Sequence, residues 1–300
     1  VGILNDLFYI DLSKSFNVRA PPVKELPSMP IYHADSAASF GGMDKSLICI
    51  IGGYFVYENG TPFVDDNSAF WTFNTRQEIW TNQTIWGSKN ISLDIWADSA
   101  VTDFKNRIIM EGYTELLMFD TIKFTLSYLR SFDQPPLDIF FTSTILDNGI
   151  IVYIGGMDAD PDSMYSNVTG PPGIQARFGH SAALGLIYIF GGQTFPITNA
   201  TSELSVEPSP NLIILDINKF SWIVPSQHLS PGDLIPPHSL SYHGAAIVNG
   251  YMIITYGAMA HLIKYIFLIL LSASGLAIIS LDDSVSVEAK EKKSVLKFSI

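Results

Sequence analysis

The feature that most constrains this fold is a short apolar run that ends in glycine and recurs along the chain. Three copies are complete, and their glycine pairs are Gly52 and Gly53, Gly155 and Gly156, and Gly191 and Gly192. Two weaker copies keep only the second glycine, Gly112 and Gly257. The runs are rich in β-branched and aromatic residues, which indicates strands covered on both faces. Glycine lets the chain turn where a Cβ would clash with a neighbouring strand. The repeat therefore predicts an all-β chain assembled from small, similar sheets.

A second apolar run recurs between the glycine runs and ends in an acidic or amide residue. Its four copies end in Asp11, Asn74, Asp120 and Asp216. Six residues after the last three of these come Trp80, Leu126 and Trp222. An Asp or Asn side chain can hydrogen-bond the turn that ends its own strand, and a Trp can fill the space between adjacent sheets. We therefore predict structural roles for all of these positions.

These elements, in this order, resemble the kelch repeat, a family of β-propeller blades that also includes galactose oxidase-like propellers. The resemblance covers residues 1–257 and implies a kelch-type β-propeller. Two runs, residues 7–16 and 177–183, are further similar to membrane-attached kelch proteins of fungi. Such a resemblance implies an architecture and leaves the ligand open.

The spacing of the repeat predicts about five blades, one of them incomplete. Four blades are predicted within residues 31–86, 95–130, 139–170 and 177–224, and a fifth joins residues 242–257 to residues 1–27. Gly156 and Gly192 are only 36 residues apart, whereas propeller repeats run to about 40–50. The blade at 139–170 is therefore predicted to lack its outer two strands and to expose a sheet edge. A truncated chain that never closes a ring is an alternative interpretation.

The segment after the repeats is of another kind. Residues 265–281 contain no charged side chain, and together with residues 258–264 they reach the roughly 20 residues that cross a bilayer. We predict a single C-terminal transmembrane helix over 258–281 and a short cytosolic tail over 282–300. A buried hydrophobic helix or a pair of strands is the alternative. The tail carries four lysines, so the positive-inside tendency places the propeller outside the cell or in a lumen.

Five Asn-X-Ser/Thr sequons agree with that placement. The candidate glycosylation sites are Asn59, Asn82, Asn90, Asn167 and Asn199. Cys49 is the one cysteine, so an intrachain disulfide is impossible. Because it lies in an apolar run, we expect a buried and inert thiol.

The residues argue against nucleic-acid binding and against copper-oxidase chemistry. A net charge of −12 argues against nucleic acid, since phosphate binding needs clustered Lys and Arg. A copper radical oxidase would need a Cys-Tyr pair and two His ligands. His180 and His243 instead occupy equivalent places near two strand starts, which predicts a repeated structural role.

A calcium loop is a weaker candidate. Asp158, Asp160 and Asp162 alternate as in an EF-hand loop, but Ser163 and Thr169 stand where its glycine and closing glutamate are required. An acidic solvent loop is the better interpretation.

The sequence therefore predicts a membrane-tethered kelch-propeller binding module with an unidentified protein or glycan ligand. It predicts no catalytic residues, no metal, no cofactor and no nucleic-acid partner. The alternatives are a diverged copper-oxidase-like enzyme and a truncated fragment.

Overall fold

A computed structural model describes fifteen segments of the chain: residues 5–12, 22–34, 36–62, 70–87, 99–111, 116–129, 138–158, 173–183, 186–194, 206–225, 240–248, 251–255, 266–272, 275–279 and 295–299. The regular structure in these segments is all β, and every strand pair is antiparallel. The predicted all-β class is thus confirmed.

The strands of the first half of the chain are β1 (Leu7–Asp11), β2 (Val23–Leu26), β3 (Tyr32–Ala34), β4 (Ala37–Gly41), β5 (Leu47–Ile51), β6 (Tyr54–Val56), β7 (Phe70–Asn74), β8 (Ile79–Asn82), β9 (Ala100–Thr102), β10 (Arg107–Glu111), β11 (Leu116–Asp120), β12 (Thr125–Leu129), β13 (Asp138–Ile139) and β14 (Thr142–Ile145). Those of the second half are β15 (Ile151–Ile154), β16 (Met157–Asp158), β17 (Ser181–Ala183), β18 (Ile187–Phe190), β19 (Leu212–Asp216), β20 (Ser221–Ile223), β21 (Gly244–Val248), β22 (Tyr251–Thr255), β23 (Ile266–Ser272), β24 (Gly275–Ile279) and β25 (Val295–Ser299).

Consecutive strands assemble into small sheets in chain order. Sheet 1 is β4-β5-β7-β8, sheet 2 is β9-β10-β11-β12, sheet 4 is β17-β18-β19-β20 and sheet 5 is β21-β22-β23-β24. Short connections and local pairing make each sheet a unit that cannot bury its own faces, so neighbouring sheets must stack.

Sheet 3 is smaller than its neighbours. Among the described residues β14 and β15 pair only with each other, and β13 pairs with β16 in a separate two-stranded ladder. The short repeat predicts that this blade lacks its outer two strands, and residues 159–172, which follow β16, lie outside the described residues.

The last sheet combines both ends of the chain, but with strands other than those predicted. The terminal sheet is β2-β1-β25, in which Phe8 faces Phe298. We had expected β1 to join residues 242–257. Those residues contain β21 and β22, which pair within sheet 5 instead, because β23 provides the partner along the other edge of β22. The described strands therefore form six main sheets rather than five.

Of the predicted transmembrane segment 258–281, the structure describes residues 266–272 and 275–279. Where a transmembrane helix was predicted, the described residues form β23 and β24, and β23 is hydrogen-bonded to β22 along Tyr251–Thr255. No described residues form a helix of a length and hydropathy that would cross a membrane. A long apolar run suits strands as well as a helix once a sheet offers a free edge that it can extend.

The core lies between the sheets. Phe70 of sheet 1 packs on Phe119 of sheet 2 with ring centroids 4.2 Å apart, and both side chains are fully buried. Similar clusters join the terminal sheet to sheet 1, sheet 3 to sheet 4, and sheet 4 to sheet 5. Burying an aromatic or aliphatic side chain of this size contributes about 1.5–3 kcal/mol, so these interfaces hold the stack of sheets together.

The first strands of sheets 1 to 5 lie side by side. β4 neighbours β9, β9 neighbours β14, β14 neighbours β17, and β17 neighbours β21. Each sheet thus directs its first strand toward a common centre, which is the arrangement of a propeller-like fold.

Candidate functional site

The glycine pairs lie where the backbone leading into the next sheet makes its closest contact. Gly191 has φ +66°, and a Cβ there would overlap the carbonyl oxygen of Leu240 and come 2.8 Å from Cε1 of His243. Gly155 has the same φ, and a Cβ there would overlap the Arg177 carbonyl oxygen and come 2.6 Å from Cε1 of His180. Any side chain would therefore push the following sheet away.

Hydroxyl groups join the first strands at four successive junctions. Each bond connects one sheet to the next, and the pairs are Ser39 Oγ with Thr102 Oγ1 (2.7 Å), Ser99 Oγ with Ser143 Oγ (2.6 Å), Thr142 Oγ1 with His180 Nε2 (2.9 Å), and Ser181 Oγ with His243 Nε2 (2.8 Å). A buried polar group without a partner would destabilise the fold by about 1–3 kcal/mol. These bonds therefore satisfy the hydroxyls and the Nε2 atoms of His180 and His243, whereas the Nδ1 atoms of both histidines are buried without a hydrogen-bond partner.

The two histidines at these junctions are held neutral. Burial, with smaller electrostatic contributions from Arg177 and His243, lowers the pKa of His180 to about 3. Burial lowers the pKa of His243 to about 4, although the backbone of Leu240 and Phe190 opposes the shift. Each ring uses Nε2 in a bond to a hydroxyl, as a structural histidine would.

Arg177 anchors the segment that leads into sheet 4. Its guanidinium is buried and donates to the carbonyl oxygens of Pro210 (2.6 Å), Asn211 (3.0 Å) and Gly191 (3.3 Å). Burial lowers its pKa to about 10. The guanidinium therefore donates to backbone carbonyls of the same sheet and is not presented to a ligand.

A cavity of about 430 Å³ lies where the first strands of sheets 1 to 5 converge. That volume falls within the range of small-molecule sites. Its lining consists of Ser39, Phe40, Lys45, Val101, Thr102, Ser143, Thr144, Ile145, Ala182, Ala245, Ala246 and Ile247. The wall is therefore built of hydroxyl groups, methyl groups and larger apolar side chains, with Lys45 as the one charged residue among these twelve.

Lys45 lies in the turn between β4 and β5. Its N–H donates to the carbonyl oxygen of Gly42 at 3.2 Å, and its φ is +54°. The matching turns of sheets 2 and 3 place Asn106 (φ +60°) and Gly149 (φ +84°) at the same step. Asn and Gly adopt this left-handed conformation readily, whereas a lysine is less suited to it.

The Asn and Asp residues that end the second runs hydrogen-bond the turns that follow them, as predicted. Asn74 Oδ1 accepts from the N–H groups of Arg76 (2.9 Å) and Gln77 (3.1 Å), and Asp120 and Asp216 repeat this pattern two and three residues ahead. Asp11 ends β1.

The residues six positions later lie in inter-sheet clusters. Leu126 is buried between sheets 1 and 2, and Trp222 packs against the cluster between sheets 3 and 4. Trp80 packs against Phe73 in a tilted ring contact and donates its Nε1–H to the carbonyl oxygen of Pro27 at 2.7 Å, which connects sheet 1 to the segment after β2. None of these side chains lines the cavity.

The remaining predicted residues fall into two groups. Asn59 and Asn82 are exposed, the first in a turn and the second at the end of β8. Asp158 pairs in β16 with Asp138. Gly112, Gly257, Asn90, Asn167, Asn199, Asp160 and Asp162 lie outside the described residues.

The thiol and metal predictions can be compared with the described geometry. Cys49 is fully buried in β5, and burial raises the pKa of its thiol to about 12, so thiolate chemistry is suppressed. Within the described segments no three His, Cys, Asp or Glu side chains are grouped as a metal site would require.

The strands that line the cavity were not predicted from the sequence. They are short and rich in Ala, Ser and Thr, so they stand out less than the apolar runs that follow them. The available signal was the recurrence of small residues ahead of each apolar run, such as Ala37 and Ala38, Ala182 and Ala183, and Ala245 and Ala246.

Comparison with known proteins supports the fold alone. No protein-family model matches the chain. No curated protein matches it in sequence. Among solved structures, that of YjhT, a propeller-type protein, is similar over 87% of this chain and 88% of that chain, with a TM-score of 0.62 and 12% sequence identity. The chain therefore has a propeller-like fold.

Proposed function

We propose that this chain is a kelch-type propeller that acts as a binding module, taking a ligand at the cavity formed by its first strands, and that it catalyses no reaction. The observation that carries the proposal is the cavity itself, where five sheets converge on one concave surface. Concave sites with apolar walls and a few placed polar groups are the usual form of ligand sites.

The lining chemistry favours binding over catalysis. None of its twelve residues is a His, Cys, Asp or Glu, the side chains that most often transfer protons in enzymes. Its hydroxyls at Ser39, Thr102 and Ser143 are occupied by bonds to neighbouring strands, with Thr102 also donating to the carbonyl oxygen of Phe40 at 2.6 Å. We propose a protein segment or a glycan as the ligand.

A blocked cavity tests this function. Ala246 lines the cavity, so Ala246→Phe would fill part of it, whereas Ala246→Ser would keep it open. Immobilised full-length chain would be exposed to a glycan array and to a peptide array. We expect a glycan or peptide that binds the wild type and Ala246→Ser but loses most of its signal on Ala246→Phe. Equal binding to all three proteins would exclude the cavity as the site.

The copper-oxidase alternative has its own test. His180 and His243 each bond a hydroxyl through Nε2 and keep an unpartnered Nδ1, but among the described residues neither histidine belongs to a group of three side chains that could hold a metal. Metal analysis of the purified chain is expected to give far less than one copper per chain. Stoichiometric copper would refute a purely binding role.

Placement on the outer side of a membrane is a further part of the proposal and rests on the sequence. The exposure of Asn59 and Asn82 is compatible with glycans at both. We expect an N-glycan-removing enzyme to reduce the apparent mass of the chain made in eukaryotic cells, and Asn59→Gln with Asn82→Gln to reduce that shift.

Residues 258–281 can tether the chain to a membrane only if they leave sheet 5, to which they contribute β23 and β24. Alkaline carbonate extraction distinguishes the two. A tethered chain stays in the membrane pellet, whereas a chain whose 258–281 segment belongs to the propeller is released.

A further inference from the structure

We infer that the ligand of this cavity carries a carboxylate, which Lys45 binds at the rim while an apolar portion lies along the alanine-lined wall. The inference rests on the proposed function and specifies the chemistry that the same cavity recognises. It follows from which polar groups of the lining are already engaged within the fold and which are left available.

Lys45 is the available charge. Its neighbour Asp44 is committed elsewhere, since Asp44 Oδ2 lies 2.7 Å from Nη2 of Arg76 and Asp44 Oδ1 accepts the N–H of Ser46 at 3.1 Å. Lys45 has no ion-pair partner in the part of the chain that the structure describes, and no carboxylate lines the cavity beside it. A lysine ammonium without a partner at a cavity rim favours an anionic group on the ligand.

Thr144 is the available hydroxyl. The hydroxyls of Ser39, Thr102 and Ser143 are used to join neighbouring first strands. Thr144 lines the same cavity, its residue is buried, and its hydroxyl makes no hydrogen bond to another described residue. It can donate to or accept from a bound ligand, so the site offers a cation and a neutral hydroxyl.

The rest of the lining selects the other part of the ligand. Ala182, Ala245 and Ala246 leave the space that larger side chains would fill, and Val101, Ile145 and Ile247 make the wall apolar. An aliphatic portion gains by leaving water here, whereas a phosphate or sulfate would place three or more anionic oxygens against a single cation and methyl groups. The chemistry therefore fits a monocarboxylate with an apolar chain.

Such a carboxylate has two sources, a free organic acid or the C-terminus of a peptide. The first probe is hexanoate, with hexanamide as its uncharged counterpart. The second is N-acetyl-trialanine as the acid and as the amide. The readout is NMR of the full-length chain labelled at the alanine methyl groups, in which Ala182, Ala245 and Ala246 report on the cavity and the other alanines on the rest of the fold.

We expect at least one acid to shift the cavity methyl signals with an affinity about tenfold above that of its amide, since a hydrogen bond to a charged group corresponds to about one power of ten in affinity. Preference for hexanoate indicates an organic acid, and preference for the peptide acid indicates a C-terminus. Equal shifts by acid and amide would overturn the carboxylate assignment and leave the cavity as a ligand site. No shift by any probe would also overturn it, while the array experiment with Ala246→Phe still decides the proposed function.

Variants at the turn separate binding from folding. Lys45→Asn removes the charge and suits the left-handed conformation, so it should fold at least as well as the wild type and lose about tenfold in affinity for the acid only. Lys105→Asn is the matched control, because Lys105 lies in the equivalent turn of sheet 2, is exposed and does not line the cavity. Thr144→Val should weaken binding of the preferred acid two- to tenfold. Unchanged acid affinity in Lys45→Asn would refute the inference.

Discussion

The close approach at Gly191 can be tested by adding a single methyl group. In Gly191→Ala two effects add. An L-residue held at φ +66° is destabilised by about 1–2 kcal/mol relative to glycine, and the Cβ would overlap the Leu240 carbonyl oxygen and lie 2.8 Å from His243 Cε1. Overpacking of this kind destabilises by about 1–3 kcal/mol. The expected loss is therefore about 2–5 kcal/mol, a large part of the stability of an ordinary domain.

Gly60 supplies the matched control. Its φ is +79°, but a Cβ there would meet nothing within 4 Å. Gly60→Ala should therefore show the conformational effect alone, about 1–2 kcal/mol. The difference between the two variants isolates the contact between sheets 4 and 5.

Urea unfolding followed by tryptophan fluorescence and by circular dichroism is the assay, because agreement between the two probes checks that unfolding is cooperative. Gly191→Ala should lose at least 1 kcal/mol more than Gly60→Ala. Equal losses would show that the glycine pair is not required by the approach of the next sheet, and the structural interpretation of the repeat would fail.

Three further predictions concern the histidines, the core and the terminal sheet. The pKa values of His180 and His243 are lowered from 6.5 to about 3 and about 4. Below about pH 6.5 the unfolded chain therefore binds protons that the folded chain does not. The free energy of unfolding should fall there by up to about 1.4 kcal/mol per pH unit for each histidine. In unfolding measured from pH 7.5 to 5, the double variant His180→Gln/His243→Gln should flatten this dependence, and an unchanged slope would exclude the histidines as its source. Phe119→Ala removes the fully buried contact with Phe70 and should destabilise the fold by about 3–5 kcal/mol. The Phe104 side chain is 75% exposed, so Phe104→Ala should change the free energy of unfolding by less than about 0.5 kcal/mol. Similar losses in the two variants would contradict the described core. Removing residues 295–300 takes β25 from the edge of β1 and should broaden thermal unfolding and promote aggregation through the exposed edge; a transition as sharp as that of the full chain would show that β25 does not support the terminal sheet.

The parts of the fold that could be predicted from sequence are those that local chemistry determines. The left-handed backbone at Gly191 leaves little choice of residue, and the turn after Asp120 is hydrogen-bonded by the Asp120 side chain itself. Both positions therefore carry their structural reason within a few residues of sequence.

The parts that could not be predicted depend on distant partners. The apolar sequence of residues 266–279 is compatible with a helix or with strands. The described strands extend sheet 5 from the free edge of β22. β25 lies in a lysine-containing tail, and nothing near it in sequence indicates β1 as its partner. The cavity depends on five first strands at once, so no single repeat displays it.

The division of polar groups around the centre indicates how stability and binding are separated in this fold. Ser39 and Ser143 line the cavity, and the hydroxyl of each is bonded to a neighbouring sheet, so replacing them should weaken the stack of sheets and, through it, the cavity. The side chains of Lys45 and Thr144 make no hydrogen bond or ion pair to another described residue, so replacing them should change the ligand affinity more than the free energy of unfolding. The same cavity thus contains residues that hold its shape and residues that can vary with the ligand. A repeat protein can therefore change its specificity at the second set without rebuilding the first.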